Sequence, residues 1–271
     1  MADRNMTIIT GGSRGIGQFL VQSLLEEMPV LNISRRRAEI GGTSRHQLHN
    51  LPADLQDVGR IDQLLRAWFD SNVGYRVKYL IHNAAALNLG ALDKVCLSKI
   101  DQSFHVNVYA PLVITRSIFN LGRFAVPESK IVYVTSSLAR TDPVLSFAGM
   151  GLYSVTKAAL SRLALIQARE LEIKAPHIKV IRIHPGIVDT EMQRELRRDV
   201  TLDMAFRKKT EGLPPYTEGD WYGKLPREHM RTISSSFAAE FILWAMRSSN
   251  MTSAEYDFYN TDEFHRARAR S

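Results

Sequence analysis

The segment Thr10-Gly11-Gly12-Ser13-Arg14-Gly15-Ile16-Gly17 decides the fold of this chain. It follows the apolar run Met6-Thr7-Ile8-Ile9 and leads into a stretch with Ile16, Leu20, Val21, Leu24 and Leu25 at helical spacing. A short apolar run reads as a buried strand, and a three- and four-residue repeat reads as one face of a helix. Gly11, Gly15 and Gly17 therefore occupy a turn from strand to helix, where they keep side chains away from whatever the backbone approaches. Amides at the start of that helix, with the positive end of its dipole, suit a pyrophosphate. The segment predicts a dinucleotide cradle built from Gly11, Ser13, Arg14, Gly15, Ile16 and Gly17.

The same alternation continues outward. Strands are predicted at 7–10, 30–34, 46–51, 77–82, 130–135 and 178–184. Helical stripes lie between them: one stopped by Pro29, one around Ile61, Leu65 and Phe69, and longer ones at 98–122, 153–173 and 234–247. Strands alternating with helices imply an α/β fold, a doubly wound parallel sheet covered by helices on both faces. No linker or repeat divides residues 1–271, which read as a single domain. One stretch departs from the pattern. Residues 191–232 are polar and rich in charge and turn formers, and they read as a lid insertion. Its aromatics Tyr216, Trp221 and Tyr222 could meet a flat substrate, and Trp221 is taken as a candidate substrate contact.

Composition narrows the function classes. At 45% hydrophobic and 23% charged the chain is ordinary for a globular protein. No apolar run reaches bilayer length and no basic-then-apolar leader opens the chain, so neither a membrane partner nor secretion is expected. Cys96 is the only cysteine, which excludes an internal disulfide and fits the cytoplasm. The net charge of +7 draws on Arg35-Arg36-Arg37 and on the end from His265 to Arg270. No nucleic-acid-binding motif accompanies these clusters, and the end reads as a solvated, partly disordered tail. His46 and His49 stand three apart on a predicted strand, hence on opposite faces, so no metal site is predicted.

The second strand identifies the nucleotide. NAD sites place an acid near its end to hold the ribose 2′-hydroxyl. Here the chain reads Val30-Leu31-Asn32-Ile33-Ser34-Arg35-Arg36, without a carboxylate. Ser34 and Arg35, with Arg14 reaching over from the glycine turn, suit a 2′-phosphate and therefore NADP(H).

Further on, Tyr153-Ser154-Val155-Thr156-Lys157 sets a phenol and an ammonium one helical turn apart. Upstream, the fifth strand runs into Ser136-Ser137, placing hydroxyls at the carboxyl edge of the sheet, where ligands of open α/β folds bind.

With these pieces in order, the chain resembles the short-chain dehydrogenase/reductase family over nearly its whole length. The matching segments are the glycine turn, Asp54-Leu55, His82-Asn83-Ala84-Ala85, Asn107, Ser136-Ser137, Tyr153-x-x-x-Lys157 and Pro185-Gly186-Ile187-Val188-Asp189-Thr190. The resemblance implies a Rossmann-type sheet and a catalytic group of Tyr153, Lys157, Ser137 and Asn107. Tyr153 protonates the carbonyl oxygen as hydride arrives, and Lys157 lowers the phenol's pKa and holds the nicotinamide ribose. Ser137 steadies the oxyanion, and Asn107 holds a water in a proton relay. Asp54 receives the adenine amino group, Asn83 stabilises the sheet beside the ribose, and Ile187 and Thr190 contact the carboxamide. Leu55, Ala84, Pro185, Gly186 and Val188 belong to the same cofactor site.

Two departures accompany the likeness. Ala85 carries a Cβ where the family usually has glycine. Ser137 stands 16 residues before Tyr153, a longer interval than usual. A loop insertion of about three residues within 140–150 accounts for it and is absorbed at little entropic cost. It leaves Ser136 and Ser137 both open as the catalytic serine.

The ending Ser253-Ala254-Glu255-Tyr256-Asp257-Phe258-Tyr259-Asn260 looks like that of sepiapterin and benzil reductases, with Asp257 matching a pterin-anchoring carboxylate. The reading is an NADP(H)-dependent reductase of ketones or dicarbonyls, which the family resemblance expects as a homodimer or homotetramer. Its rivals are a 3-oxoacyl-acyl-carrier-protein reductase and a non-catalytic NADP(H)-sensing scaffold.

Overall fold

In the computed structural model, residues 4–142, 146–198, 212–213, 215, 232–249 and 254–268 are described. The strands are β1 (Arg4–Thr10), β2 (Val30–Ser34), β3 (Leu48–Pro52), β4 (Tyr75–His82), β5 (Ser129–Val134), β6 (Ile178–His184), β7 (Ile187–Val188), β8 (Thr232–Ile233) and β9 (Ala254–Asp257). Seven of them form one sheet in the order β3-β2-β1-β4-β5-β6-β9, and every pairing is parallel. β7 and β8 pair separately, at the two ends of the 191–232 excursion. Strand order reverses between β1 and β4, which opens a crevice at their carboxyl ends.

The helices are α1 (Gly15–Leu24), α2 (Val58–Ser71), α3 (Leu97–Phe104), α4 (Ala110–Asn120), α5 (Gly151–Lys174), α6 (Glu191–Arg198), α7 (Ser235–Ser248) and α8 (Asp262–Arg268). On one face of the sheet α2, α4 and α5 bury Ile61, Leu65, Phe69, Ile114, Ile118 and Leu160. On the other, α1, α7 and α8 bury Leu20, Leu24, Phe241, Ile242 and Phe264. β2 and β5 are buried along their whole length because helices cover both faces, which is why they read as unbroken strands and not as alternating ones. Polar caps fix two helix starts. The Asp57 carboxylate accepts the Arg60 N–H at 3.0 Å, and the Ser234 hydroxyl accepts the Phe237 N–H at 3.1 Å, each contributing about 1 kcal/mol.

Three expectations are corrected, and the lid lies mostly outside the described residues. The helix predicted at 98–122 is two helices joined by a π-turn at His105–Tyr109. The polar excursion begins as helix α6; Tyr216, Trp221 and Tyr222 lie outside the described residues. The basic end is ordered through α8, because Phe264 packs among Phe237, Phe241 and Phe258 and buried His265 meets the Phe258 carbonyl at 3.0 Å. His46 precedes β3, and His49 packs edge-on against Trp68 and Tyr75 in an aromatic cluster. Among the described residues no cluster of metal-ligating side chains occurs, and no helix is long and apolar enough to cross a membrane.

Candidate active site

Sheet register assembles the site. Thr10 aligns with His82, His82 with Tyr133, and His184 with Asp257. The residues after β1, β4, β5 and β6 therefore meet along one edge, around a cavity of about 910 Å³. The glycine turn, Ser34, Arg35, Asp54, Leu55, Asn83, Ala84, both serines, Tyr153, Lys157, the 185–190 segment and Asp257 all line it.

The glycine turn fits a pyrophosphate. α1 starts at Gly15 with Arg14 at its N-cap, where no side chain caps the helix and no acid stands in the first turn. Its opening amides thus keep their donors for an anion in the cavity. Gly11 has φ +71°, and a Cβ there would sit 3.0 Å from the Cα of Ala84. A Cβ on Gly17 would lie 2.1 Å from the Gly11 carbonyl oxygen. The close approach thus falls between Gly11 and Ala84. Asn83 fastens the two strand ends, its side-chain amide donating to the Thr10 and Gly11 carbonyls at 3.1 Å each.

At the end of β2 the Ser34 hydroxyl donates to the Arg36 carbonyl and accepts from the Asn32 amide at 3.0 Å. This bond shapes the turn, while Ser34 also lines the cavity. Asn32 also accepts the Gly12 N–H at 2.8 Å, joining this loop to the glycine turn. Arg14 and Arg35 are exposed at the cavity, and among the described residues neither forms an ion pair. Asp54 lines the same end and accepts the Gln56 N–H at 3.0 Å.

On α5, Leu152, Thr156, Lys157, Leu160, Ala164 and Ala168 face inward, and this stripe turns Tyr153 and Lys157 to the cavity. Lys157 is buried, and its Nζ donates to the Val134 carbonyl at 2.9 Å. An ammonium has three donors, so two remain for groups in the cavity. Burial lowers its pKa to about 8. Its Nζ sits 5.7 Å from the centroid of the Tyr153 ring. Burial pushes the Tyr153 phenol up to about 12, with a hydrogen bond to Ser136 opposing the rise. In the chain by itself desolvation thus outweighs the pull of Lys157 that the family resemblance implies.

The serine that acts on the Tyr153 phenol, opposing the rise in its pKa, is Ser136, whereas the sequence favours Ser137 and leaves both open. The reason is local. Ser136 keeps extended backbone, φ −155° and ψ 149°, and so carries the extended chain two residues past the end of β5. Ser137 begins a 3-10 turn (Ser137–Ala139) and also lines the cavity. The Ser136 oxygen accepts the Leu138 N–H at 3.2 Å, leaving its hydrogen for an acceptor near the phenol.

Asn107 lies in the π-turn, fully buried behind the cavity wall. Its amide brackets Ala86, accepting that N–H at 2.7 Å and donating to that carbonyl at 3.0 Å, with a second donation to Thr156 at 2.9 Å. Both its N–H groups are used on the chain, so the side chain acts as a clamp between β4's outgoing loop and α5. π-turns of this kind recur at functional sites.

The far wall held residues the sequence did not single out. Tyr259 packs its ring on Gly186, which has φ +87°, and accepts the Ile187 N–H at 3.1 Å. Thr135 bonds the His184 ring at 3.1 Å, and His184 bonds Glu255 at 2.6 Å. Arg140 pairs with Asp257 at 2.7 Å, so Asp257 is not the open anchor that its place in the tail suggests. These partners come from distant segments, and no local sequence signal links them.

A doubly wound parallel sheet, a glycine turn at its switch point and a Ser/Tyr/Lys group at its carboxyl edge define a nicotinamide-dependent oxidoreductase architecture. Residues 5–201 match the family model described as short chain dehydrogenase, and the chain belongs to that family. It is 28% identical over 222 residues to benzil reductase ((S)-benzoin forming) of Bacillus cereus, covering 76% of this chain and 86% of that one. It is 27% identical over 270 residues to sepiapterin reductase of Rattus norvegicus, covering 93% and 95%. Among solved structures, a short chain dehydrogenase from Burkholderia cenocepacia J2315 in complex with NADP superposes with a TM-score of 0.67 at 24% identity. That match covers 94% of this chain and 96% of the other.

Proposed function

We propose that this chain is an NADP(H)-dependent carbonyl reductase that converts a ketone or dicarbonyl to an alcohol. The observation that carries the reading is the convergence of Ser136, Tyr153 and buried Lys157 on one wall of a cavity whose other end is the glycine turn. A carbonyl oxygen seated between the serine and tyrosine hydroxyls receives two donors where negative charge develops, which is the arrangement that favours the transition state. Tyr153 then transfers its proton to that oxygen. Lys157 holds nucleotide hydroxyls with its remaining donors, and Asn107 fixes the wall that Ala86 contributes. Bound NADPH supplies the hydride. Arg35 and Arg14, with no carboxylate at the end of β2, support the 2′-phosphate form.

Exposed Tyr109 in the π-turn, Leu112 and Phe119 along α4, and Val155, Ile166 and Ile173 along α5 support association of copies through these helices as a homodimer or homotetramer. A cytoplasmic setting fits the same reading.

Loss of NADPH absorbance with purified protein tests the proposal. Benzil, sepiapterin, an acetoacetyl thioester and acetophenone serve as substrates. Turnover of benzil at the highest kcat/KM supports the dicarbonyl reading. Preference for the thioester replaces it with the carrier-protein reductase, and NADPH binding without turnover of any substrate favours the sensing scaffold.

A further inference from the structure

Asp257 ends β9 at the cavity wall with its residue only 8% exposed. A carboxylate this far from water needs donors at both oxygens. Oδ1 accepts the Tyr259 N–H at 3.0 Å, and Oδ2 lies 2.7 Å from Nη2 of Arg140. Arg140 follows the 3-10 turn after β5, at the start of the stretch that lengthens the serine-to-tyrosine interval, so the lengthened loop is tied across β6 to the C-terminal strand. Glu255 is the other acid nearby, 4.0 Å from the same Nη2. Its own charge is met by Arg182 at 2.8 Å and by a bond to His184 at 2.6 Å. The guanidinium is thereby left to Asp257.

The spacing matters for the substrate. One strand, β6, separates β5 from β9, so Asp257 stands about 10 Å across the sheet from the end of β5. That is the span of a two-ring molecule whose carbonyl lies at Ser136. A bare carboxylate there would select ligands with paired N–H donors; one already joined to a permanently charged guanidinium does not.

We infer that Arg140 is a specificity-determining residue, which by occupying Asp257 closes the far end of the pocket to paired-donor heterocycles and suits it to uncharged aromatic ketones and dicarbonyls. This rests on the reading that the substrate's carbonyl lies beside Ser136 and Tyr153.

The test uses pterin itself, titrated into the purified chain and followed by its fluorescence. Wild type is compared with Arg140→Met, Arg140→Gln and the double variant Arg140→Met with Asp257→Asn. Arg140→Met should bind pterin about tenfold or more tightly than wild type, the worth of one charge-assisted contact. Arg140→Gln, which still hydrogen-bonds Asp257 and so holds the loop, should show a smaller gain, and the double variant none. Equal affinity in wild type and both single variants overturns the inference, as does a gain that survives Asp257→Asn. NADPH oxidation with benzil by the wild type is scored separately. A pterin gain with no turnover of benzil or of the other three carbonyl substrates leaves Arg140 as the gate and removes the reductase reading; turnover without the gain does the reverse.

Discussion

The ammonium of Lys157 donates to the backbone carbonyl of Val134 at 2.9 Å, which ties helix α5 to the last residue of strand β5. That bond sets the catalytic helix against the strand whose continuation carries Ser136. It also holds a cation where burial brings its pKa down to about 8, while the neighbouring phenol is held up at about 12. Between these values the lysine loses its proton and the phenol keeps its own. The rate of carbonyl reduction should therefore be level through neutral pH and fall as pH rises past about 8. A pH series of kcat/KM from about pH 6 to 10 checks it. Lys157→Met should lower the rate and remove the alkaline limb; a limb that persists in the variant assigns the titration elsewhere.

Tyr153→Phe deletes the proton that the carbonyl oxygen receives and leaves the ring in place. The expected result is a loss in kcat of about 10²–10⁴-fold, with NADPH affinity, measured by fluorescence titration, nearly unchanged. Retention of most activity would remove Tyr153 from the proposed mechanism.

Ser136 and Ser137 make a sharper comparison, since both line the cavity and only Ser136 acts on the Tyr153 pKa. Ser136→Ala should cost about 10²-fold in kcat through loss of one oxyanion donor. Ser137→Ala should change kcat by only a few fold. The reverse order would restore the serine that the sequence reading selected.

The glycine turn, the parallel sheet, Tyr153 and Lys157 were legible because each depends on local pattern: a strand–turn–helix junction, apolar runs, one turn of helix. What the sequence concealed depends on chain segments that meet only in three dimensions. Arg140 and Asp257 are 117 positions apart, and a basic residue in a loop gives no sign of the acid it will meet. The contacts of Ser34 were hidden for a similar reason: its bond to the Arg36 carbonyl depends on the turn after β2, which the residue types alone do not show. His265 was read as part of a solvated tail because the charge that follows it outweighed Phe264 in the reading, whereas both rings are buried.

Arg35 carries the choice of nucleotide in this proposal. Arg35→Ala removes an exposed guanidinium at the cavity and should weaken NADPH binding by about tenfold or more, the value of a charge-assisted phosphate contact. NADH, which has no 2′-phosphate, should lose much less. Parallel titrations with the two nucleotides measure the difference, and equal losses would place the phosphate away from Arg35.

His82, at the end of β4, should give the fold an acid-sensitive limb. Its ring is stacked on Tyr133 at 4.8 Å, and Nε2 bonds the Thr115 hydroxyl at 2.9 Å. Nδ1 is buried with no hydrogen-bond partner among the described residues. Burial lowers the pKa from 6.5 to about 3, so as pH falls the unfolded chain takes up the proton first. The neutral ring therefore contributes stability that is complete above pH 6.5 and lost as pH falls toward about 3, at up to about 1.4 kcal/mol per pH unit. Thermal melts from about pH 7 to pH 4 should show Tm dropping more steeply in wild type than in His82→Asn. The variant gives up the stack on Tyr133 and should be less stable at neutral pH, yet flatter with acid. Equal slopes in the two proteins would mean that other groups set the acid limb.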